Sequence, residues 1–161
     1  MVKEGSPLPD IELQEGVPDN NVKLTDVFKG KKGILFGVPG AFTPGCSKTH
    51  VPGYVNDYAK LSEAGAQVIV CVSVNDPFVM EAWGKQTGAE AKGIRMLADT
   101  HGKLAKALDL ELDMAAALGM KRMKRFSAVI EDNKIKSLNV EPDGKGTTCS
   151  LSNAIMSQLK A

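Results

Sequence analysis

Residues 33–46 read GILFGVPGAFTPGC, and this stretch decides the fold of the chain. Its first six residues form a continuous apolar run, which is typical of a strand buried on both faces. The proline and glycine residues that follow end the strand, and a helix is expected to begin close to Cys46. A cysteine in the first turn of a helix faces free backbone N–H groups and the positive end of the helix dipole. Both favour the thiolate, so the stretch predicts a reactive thiol beyond a central strand.

A second apolar run covers residues 67–74, QVIVCVSV, and predicts another central strand. Between the two runs, Tyr54, Tyr58 and Leu61 recur at helical spacing, which predicts a helix over residues 54–65. The order strand, helix, strand implies a right-handed crossover between parallel strands. Pro52 removes a backbone donor six residues after Cys46, so we expect the helix to kink or restart there and the leading turn to be able to rearrange.

The rest of the chain continues the alternation of helices and strands. Asp76 and Pro77 are a cap and a first helical residue, and Gly88 is a stop signal. The other predictions are a strand at 94–98, a helix marked by Leu104, Leu108 and Leu112, a hairpin of 126–131 and 134–140, a loop at 141–146 and a helix at 152–159. We therefore predict an α/β fold in one domain covering residues 1–161.

Composition excludes several classes of function. The formal net charge is +1, which gives no argument for a nucleic-acid or membrane-surface partner. Three cysteines in 161 residues do not form a disulfide scaffold, and they favour a reducing compartment. No apolar stretch is long enough to span a bilayer, and the first ten residues lack the apolar core of a secretory signal. The composition predicts an intracellular protein, cytoplasmic or mitochondrial.

The spacing of Pro39, Thr43 and Cys46, P-x-x-x-T-x-x-C, resembles the active-site signature of the peroxiredoxins. Four separate segments are similar to the atypical two-cysteine, peroxiredoxin-five subfamily: residues 36–50, 72–76, 124–127 and 139–144. The resemblance covers nearly the whole chain. It implies a thioredoxin-like fold, with a central mixed β-sheet and helices on both faces.

The resemblance also assigns roles at the site. Cys46 corresponds to the peroxidatic nucleophile, and Thr43 would position the oxygens of the substrate. Pro39 would shield the sulfenic acid from water, and the backbone N–H groups of Gly45 and Cys46 would stabilise developing charge. Arg125 matches an arginine that holds both thiolate and peroxide, although by itself its basic neighbourhood resembles an ordinary charged surface. An isolated helix terminus stabilises an anion by at most about 2 kcal/mol, so such further donors are needed.

Cys149 aligns with the resolving cysteine of the subfamily, which attacks the Cys46 sulfenic acid to form an intramolecular disulfide. Without the resemblance, its sequence context indicates a partly buried inert thiol. Gly144 and Gly146 favour mobility in the preceding loop. The implied activity is a thiol peroxidase acting on hydrogen peroxide, alkyl hydroperoxides and peroxynitrite, with thioredoxin as the electron donor and with no metal or other cofactor.

The remaining reactive side chains have simpler interpretations. Cys71 lies in the second apolar run and is expected in the core. His50 suggests a catalytic pair or a metal ligand, but zinc-type ligand spacing is missing from the sequence, and a structural histidine is favoured. Trp83 is expected in the core near the site. The tripeptide at 157–159 resembles a peroxisomal signal but is not terminal, and the expected assembly is a monomer or a weak homodimer.

Two other functions stay open from the residues alone. A thiol-disulfide oxidoreductase usually carries C-x-x-C, and Thr49 occupies the position of the second cysteine. A binding or holdase module on a thioredoxin-like fold is favoured only by the methionines of the C-terminal half, and methionine at helical spacing is more often core filler.

Overall fold

The computed structural model describes residues 2–160, and within them the chain forms nine strands. These are β1 (Glu12–Glu15), β2 (Val17–Lys23), β3 (Lys32–Val38), β4 (Val68–Ser73), β5 (Arg95–Ala98), β6 (Glu111–Met114), β7 (Met120–Met123), β8 (Phe126–Glu131) and β9 (Lys134–Val140). Seven of them form one sheet in the order β2-β1-β5-β4-β3-β8-β9, while β6 and β7 pair separately.

Eight α-helices and one π-helical turn connect these strands in the described part of the chain. The helices are α1 (Leu24–Phe28), α2 (Val51–Asn56), α3 (Tyr58–Glu63), α4 (Pro77–Thr87), α5 (Ala89–Lys92), α6 (Lys103–Ala107), α7 (Ala115–Leu118) and α8 (Ser152–Lys160), and the π-helical turn is Cys46–His50. Across residues 2–160, none of the helices combines the length and apolar character needed to cross a bilayer.

The central sheet is mixed, as predicted. Strand β3 pairs in parallel with β4, which pairs in parallel with β5. On its other side β3 pairs antiparallel with β8, and β8 forms the predicted hairpin with β9. The tight turn of this hairpin has positive φ at Asp132 and Asn133, a conformation that aspartate and asparagine tolerate better than most residues. These pairings give the α/β, thioredoxin-like arrangement that the resemblance implies.

Helices cover both faces of the sheet, because the strand side chains alternate between two hydrophobic clusters. One cluster packs Leu35 and Val70 against α1 and α6. The other packs Phe36 and Cys71 against α2, α4 and α8. Nearly every residue of β3 and β4 is buried, which accounts for the continuous apolar runs in their sequences.

The helix after Cys46 departs from regular α geometry just before Pro52. The N–H of Val51 bonds the carbonyl of Cys46, an i→i+5 bond that closes the π-helical turn. Pro52 has no N–H to donate to a helical hydrogen bond, and the turn that precedes Pro52 is π-helical, with one residue more than an α-helical turn. The predicted irregularity near Pro52 is therefore confirmed. The single helix predicted over 54–65 is wrong in detail, because the chain breaks at Asp57 into α2 and α3.

Other predictions divide between confirmed and wrong. Helix α4 has the predicted bounds, with the Asp76 carboxylate accepting from Val79 N–H and Gly88 ending the helix at positive φ. Leu112 was expected to extend the helix after Leu104, but it lies in β6 instead. Strands β1, β2, β6 and β7 are not evident in the sequence, because their exposed or short segments lack apolar runs.

Candidate active site

The register of the sheet brings three segments that are distant in sequence to the C-terminal end of β3. They are the segment that leads from β3 to Cys46, the residues before β8 and the residues after β9. Gly37, one residue before the strand ends, pairs with Phe126 of β8, and Phe126 pairs with Val140 of β9. Arg125 therefore emerges immediately before β8, and Glu141 immediately after β9. A Cβ on Gly37 would lie 2.3 Å from the Phe126 ring, so glycine permits this close approach.

Cys46 is fully buried, and its sulfur has two polar neighbours. Thr43 Oγ1 lies 3.0 Å from Cys46 Sγ, and Arg125 Nη2 lies 3.4 Å from it. Thr43 Oγ1 is also 2.6 Å from the carbonyl of Gly40. A hydroxyl carries one proton, so Thr43 donates to one acceptor at a time, and a charged thiolate competes better for it than a neutral thiol. The arrangement favours sulfur in its anionic form.

The backbone around Cys46 matches its expected placement at a helix start. The N–H of Ser47 makes the helical bond to the Thr43 carbonyl, so the amides of Gly45 and Cys46 belong to the first turn. A Cβ on Gly45 would lie 3.0 Å from Arg125 Nη2, so a side chain there would crowd the guanidinium. Pro39 is buried at the end of β3. The structure thus brings Thr43 and Arg125 to the Cys46 sulfur, with Gly45 beside the guanidinium.

Arg125 is held in place by groups on both sides of the site. Its Nη1 donates to His50 Nδ1 at 3.0 Å, and its Nε donates to the Lys145 carbonyl at 3.2 Å. Arginine can only donate, so His50 Nδ1 must accept, and His50 Nε2 carries the proton that it donates to the Ser150 carbonyl at 3.0 Å. Burial, together with the nearby Arg125 charge, lowers the pKa of His50 to about 3. His50 is therefore neutral at physiological pH.

His50 is a site residue for which the sequence favours only a structural role. It is indeed buried and hydrogen-bonded, and its ring packs at an angle against those of Phe36 and Tyr54, which stack on each other. It also joins Arg125 to the Ser150 carbonyl, which Tyr54 Oη contacts at 3.0 Å as well. The four-residue spacing from Cys46 was the one available signal. Among residues 2–160, no cluster of His, Cys, Asp or Glu side chains is arranged to hold a metal ion.

Trp83 supports the turn that carries Cys46. Its Nε1 donates to Ser47 Oγ at 3.0 Å, and its ring lies 6.4 Å from that of Phe42. Phe42 has a φ of 64°, which is strained for an aromatic residue and marks the tight loop before Cys46. The expectation that Trp83 packs in the core near the site is confirmed, and its hydrogen bond ties α4 to the π-helical turn.

Cys149 lies apart from the Cys46 cluster, in the loop that follows β9. It is a free, half-buried thiol whose Sγ donates to the Val140 carbonyl at 3.4 Å. Burial and the neighbouring Glu141 carboxylate raise its pKa. Arg125 and His50 connect the Cys46 sulfur through successive contacts to the carbonyl of Ser150, the residue after Cys149. The structure does not bring the two sulfurs together.

Cys71 is confirmed as a core residue of β4. It has no exposed surface, and burial, with a smaller contribution from Cys46, raises its pKa well above the usual value. A thiol in this environment is a poor nucleophile. Of the three cysteines, Cys46 alone has a cation and a hydroxyl donor beside its sulfur.

Known proteins with similar sequences and structures share this arrangement of elements. The family model Redoxin matches residues 3–155. Peroxiredoxin-2F, mitochondrial, from Oryza sativa subsp. japonica is 43% identical over 144 residues, which are 84% of this chain and 72% of that protein.

Two solved structures superpose on almost the full length. Reduced Prx3 from Vibrio vulnificus, solved in complex with H2O2, is 39% identical with a TM-score of 0.92, and 99% of each chain is covered. Peroxiredoxin 5 from Alvinella pompejana is 45% identical with a TM-score of 0.88, again with 99% of each chain covered.

Proposed function

Because the chain belongs to the redoxin family and within it to the peroxiredoxins of the peroxiredoxin-five type, it is a thiol peroxidase, and we propose that Cys46 is its peroxidatic residue. One observation carries the proposal. The buried Cys46 sulfur has both the Thr43 hydroxyl and the Arg125 guanidinium within 3.4 Å, and no other cysteine has such neighbours. Fixed donors around a sulfur stabilise negative charge without having to reorganise during the reaction.

The first step is a displacement on oxygen. The Cys46 thiolate attacks the terminal oxygen of a hydroperoxide ROOH, an S–O bond forms, and the O–O bond breaks. The leaving alkoxide takes up a proton as ROH, and Cys46 becomes a sulfenic acid. Charge moves from sulfur to the leaving oxygen, so a guanidinium that can donate to both atoms suits this step. In this proposal Thr43 positions the substrate oxygens, Pro39 shields the sulfenic acid from water, and the backbone N–H groups of Gly45 and Cys46 stabilise the developing charge.

The second step regenerates the enzyme through Cys149. We propose that the Cys149 thiol attacks the Cys46 sulfenic acid, releasing water and leaving an intramolecular disulfide. A thioredoxin-like dithiol then reduces this disulfide, with thioredoxin as the proposed donor. Disulfide geometry requires Cα atoms within about 7 Å. Both thiols are free and have separate hydrogen-bond partners, so we propose that the Cys149 loop and the turn before Pro52 move for this step.

The test is peptide mapping after oxidation with one equivalent of hydrogen peroxide. The reduced wild-type protein should yield a disulfide between Cys46 and Cys149. Cys149→Ser should instead accumulate a Cys46 sulfenic acid that dimedone traps, and Cys71→Ser is the matched control that should behave as wild type. Peroxidase activity retained by Cys46→Ser would refute the assignment, and reduction of insulin at a thioredoxin-like rate would favour the oxidoreductase alternative.

The name of one relative bears on location, and the exposed surface bears on assembly. The rice relative is mitochondrial by name, which supports a mitochondrial location for this chain. The large apolar side chains exposed on the described surface include Phe42, Phe78 and Met120. We propose a monomer or a weak homodimer, which light scattering across a concentration series would distinguish from a stable oligomer.

A further inference from the structure

Glu141 is a buried carboxylate that holds the loop carrying Cys149. Its side chain accepts five hydrogen bonds, all between 2.6 and 2.9 Å. Oε1 accepts from the N–H and hydroxyl of Thr148, and Oε2 accepts from Cys149 N–H and from the N–H and hydroxyl of Ser150. Three consecutive residues, with the resolving cysteine at their centre, are therefore fixed to one side chain.

The carboxylate is charged in this position although it is only 1% exposed. Burial would raise the pKa of Glu141, but the hydrogen bonds from Thr148, Cys149 and Ser150 outweigh it and lower the pKa to about 2. Hydrogen bonds to an ionised acceptor are stronger than those between neutral groups. The five donors thus stabilise Glu141 as an anion, and the anion in turn stabilises the closed conformation of the loop.

Two further attachments connect the same loop to the Cys46 site. The Ser150 carbonyl accepts from His50 Nε2 and from Tyr54 Oη, and the Lys145 carbonyl accepts from Arg125 Nε. The backbone of Glu141 itself donates to the carbonyl of Arg125. The closed loop therefore helps to fix Arg125 beside Cys46 while Cys149 Sγ is directed to the Val140 carbonyl.

Glu141 also acts on the chemistry of Cys149. The carboxylate is among the causes that raise the pKa of this thiol, after burial. When the loop leaves Glu141, Cys149 is free to move. The carboxylate that helps to raise the pKa of the Cys149 thiol is then no longer beside it. The closed loop suits the first step of the reaction, and the released loop suits the second.

We propose that Glu141 is a positioning residue acting through Cys149, a latch whose release sets the rate of disulfide formation. The proposal rests on the proposed roles of Cys46 and Cys149. The latch controls a competition for the Cys46 sulfenic acid. Attack by the Cys149 thiol forms an S–S bond and releases water, whereas attack on a second hydroperoxide forms a sulfinic acid and releases ROH. A tighter latch lengthens the life of the sulfenic acid and favours over-oxidation.

The experiment uses stopped-flow fluorescence of Trp83, which is the sole tryptophan and is hydrogen-bonded to Ser47 in the Cys46 turn. Oxidation of Cys46 gives a phase whose rate rises with peroxide concentration, and resolution gives a phase independent of it. Thr148→Val removes one donor to Glu141 but keeps the shape and the backbone N–H. Glu141→Gln removes the charge, and Asp143→Asn is the matched control, since the Asp143 carboxylate accepts from Lys145 N–H and Gly146 N–H in the same loop.

We expect the peroxide-independent phase to be about 10-fold faster in Thr148→Val and faster still in Glu141→Gln, from the usual strength of a bond to a charged group. The peroxide-dependent phase should change much less. At a matched peroxide dose, mass spectrometry should show less Cys46 sulfinic acid in both variants. Asp143→Asn should match wild type in both phases and in sulfinic acid.

An unchanged or slower peroxide-independent phase in folded Thr148→Val overturns the latch. If Glu141→Gln does not fold, Thr148→Val decides alone, because Thr148 is exposed and its replacement leaves the carboxylate in place. Absence of a disulfide between Cys46 and Cys149 in wild type would refute the proposed resolving role of Cys149 instead. The two failures are therefore distinguishable in one set of measurements.

Discussion

The two proposed redox cysteines lie in opposite electrostatic environments. Cys46 is fully buried beside a guanidinium and a hydroxyl, both of which favour its thiolate. Cys149 is half-buried beside the Glu141 carboxylate, which helps to raise the pKa of its thiol. The sulfur of Cys46 has two donors beside it, whereas Cys149 lies beside an acceptor that is negatively charged. The two sulfurs therefore differ in the charge beside them, a cation at Cys46 and a carboxylate at Cys149, and burial adds to the raised pKa of Cys149.

The cation beside Cys46 should account for the largest effect. Arg125→Ala is expected to slow oxidation of Cys46 by about 10³-fold, or about 4 kcal/mol, because the guanidinium stabilises both the thiolate and the developing charge on oxygen. The peroxide-dependent phase of Trp83 fluorescence measures this rate. Arg125→Lys is the control, and it should recover only part of the rate because a lysine cannot contact sulfur and oxygen as a planar fork. A wild-type rate in Arg125→Ala would show that the charge beside Cys46 does not speed its oxidation.

Thr43 should contribute less, through one hydrogen bond to a charged sulfur. Thr43→Val keeps the shape of the side chain but removes the hydroxyl, and we expect oxidation of Cys46 to slow by about 30-fold, or about 2 kcal/mol. Thr43→Ser should remain close to wild type, since the donor is retained. If Thr43→Ser and Thr43→Val lost activity equally, packing rather than hydrogen bonding would explain the role of Thr43.

His50 connects the surroundings of Cys46 to the Cys149 loop, and acid should lower the free energy of unfolding through this residue. Its pKa is lowered to about 3 in the folded protein, so between about pH 6.5 and pH 3 the unfolded chain binds a proton that the folded chain does not. Stability should fall with decreasing pH across this window, by at most about 1.4 kcal/mol per pH unit from this group.

Urea unfolding at a series of pH values measures this slope, and His50→Gln is the matched variant because its amide can accept from Arg125 but does not titrate. The stability of His50→Gln should depend less on pH between 6.5 and 3 than that of wild type. Equal slopes would mean that other groups, and not His50, cause the acid sensitivity.

Substitution of Cys71 should have the smallest effect, because Cys71 belongs neither to the surroundings of Cys46 nor to the Cys149 loop. Cys71→Ala removes a buried sulfur from the core and is expected to lower stability by about 1 kcal/mol. The rates of both fluorescence phases should stay within about 2-fold of wild type, since its buried thiol does not take part. A large loss of activity at unchanged stability would place a third cysteine in the reaction.

Local signals in the sequence predicted the elements whose residues interact with near neighbours. Asp76 and Gly88 bound helix α4 as expected, and the Asp132–Asn133 turn joins the hairpin, because caps and tight turns depend on a few adjacent residues. Strand β2 was not predicted, since almost all of its residues are exposed and Pro18 lies within it. Such an edge strand is formed by pairing with β1 and not by an apolar pattern of its own.

Local sequence patterns place Cys46 after a buried strand at the start of a helix, and the resemblance to known proteins points to Thr43, Arg125 and Cys149. Only the tertiary structure decided that His50 accepts from Arg125 and that Glu141 holds the Cys149 loop. The physical reason is sequence distance. His50 and Arg125 are joined by the antiparallel register of β3 and β8, and hydrogen bonds of this kind leave no periodic or local trace in the chain.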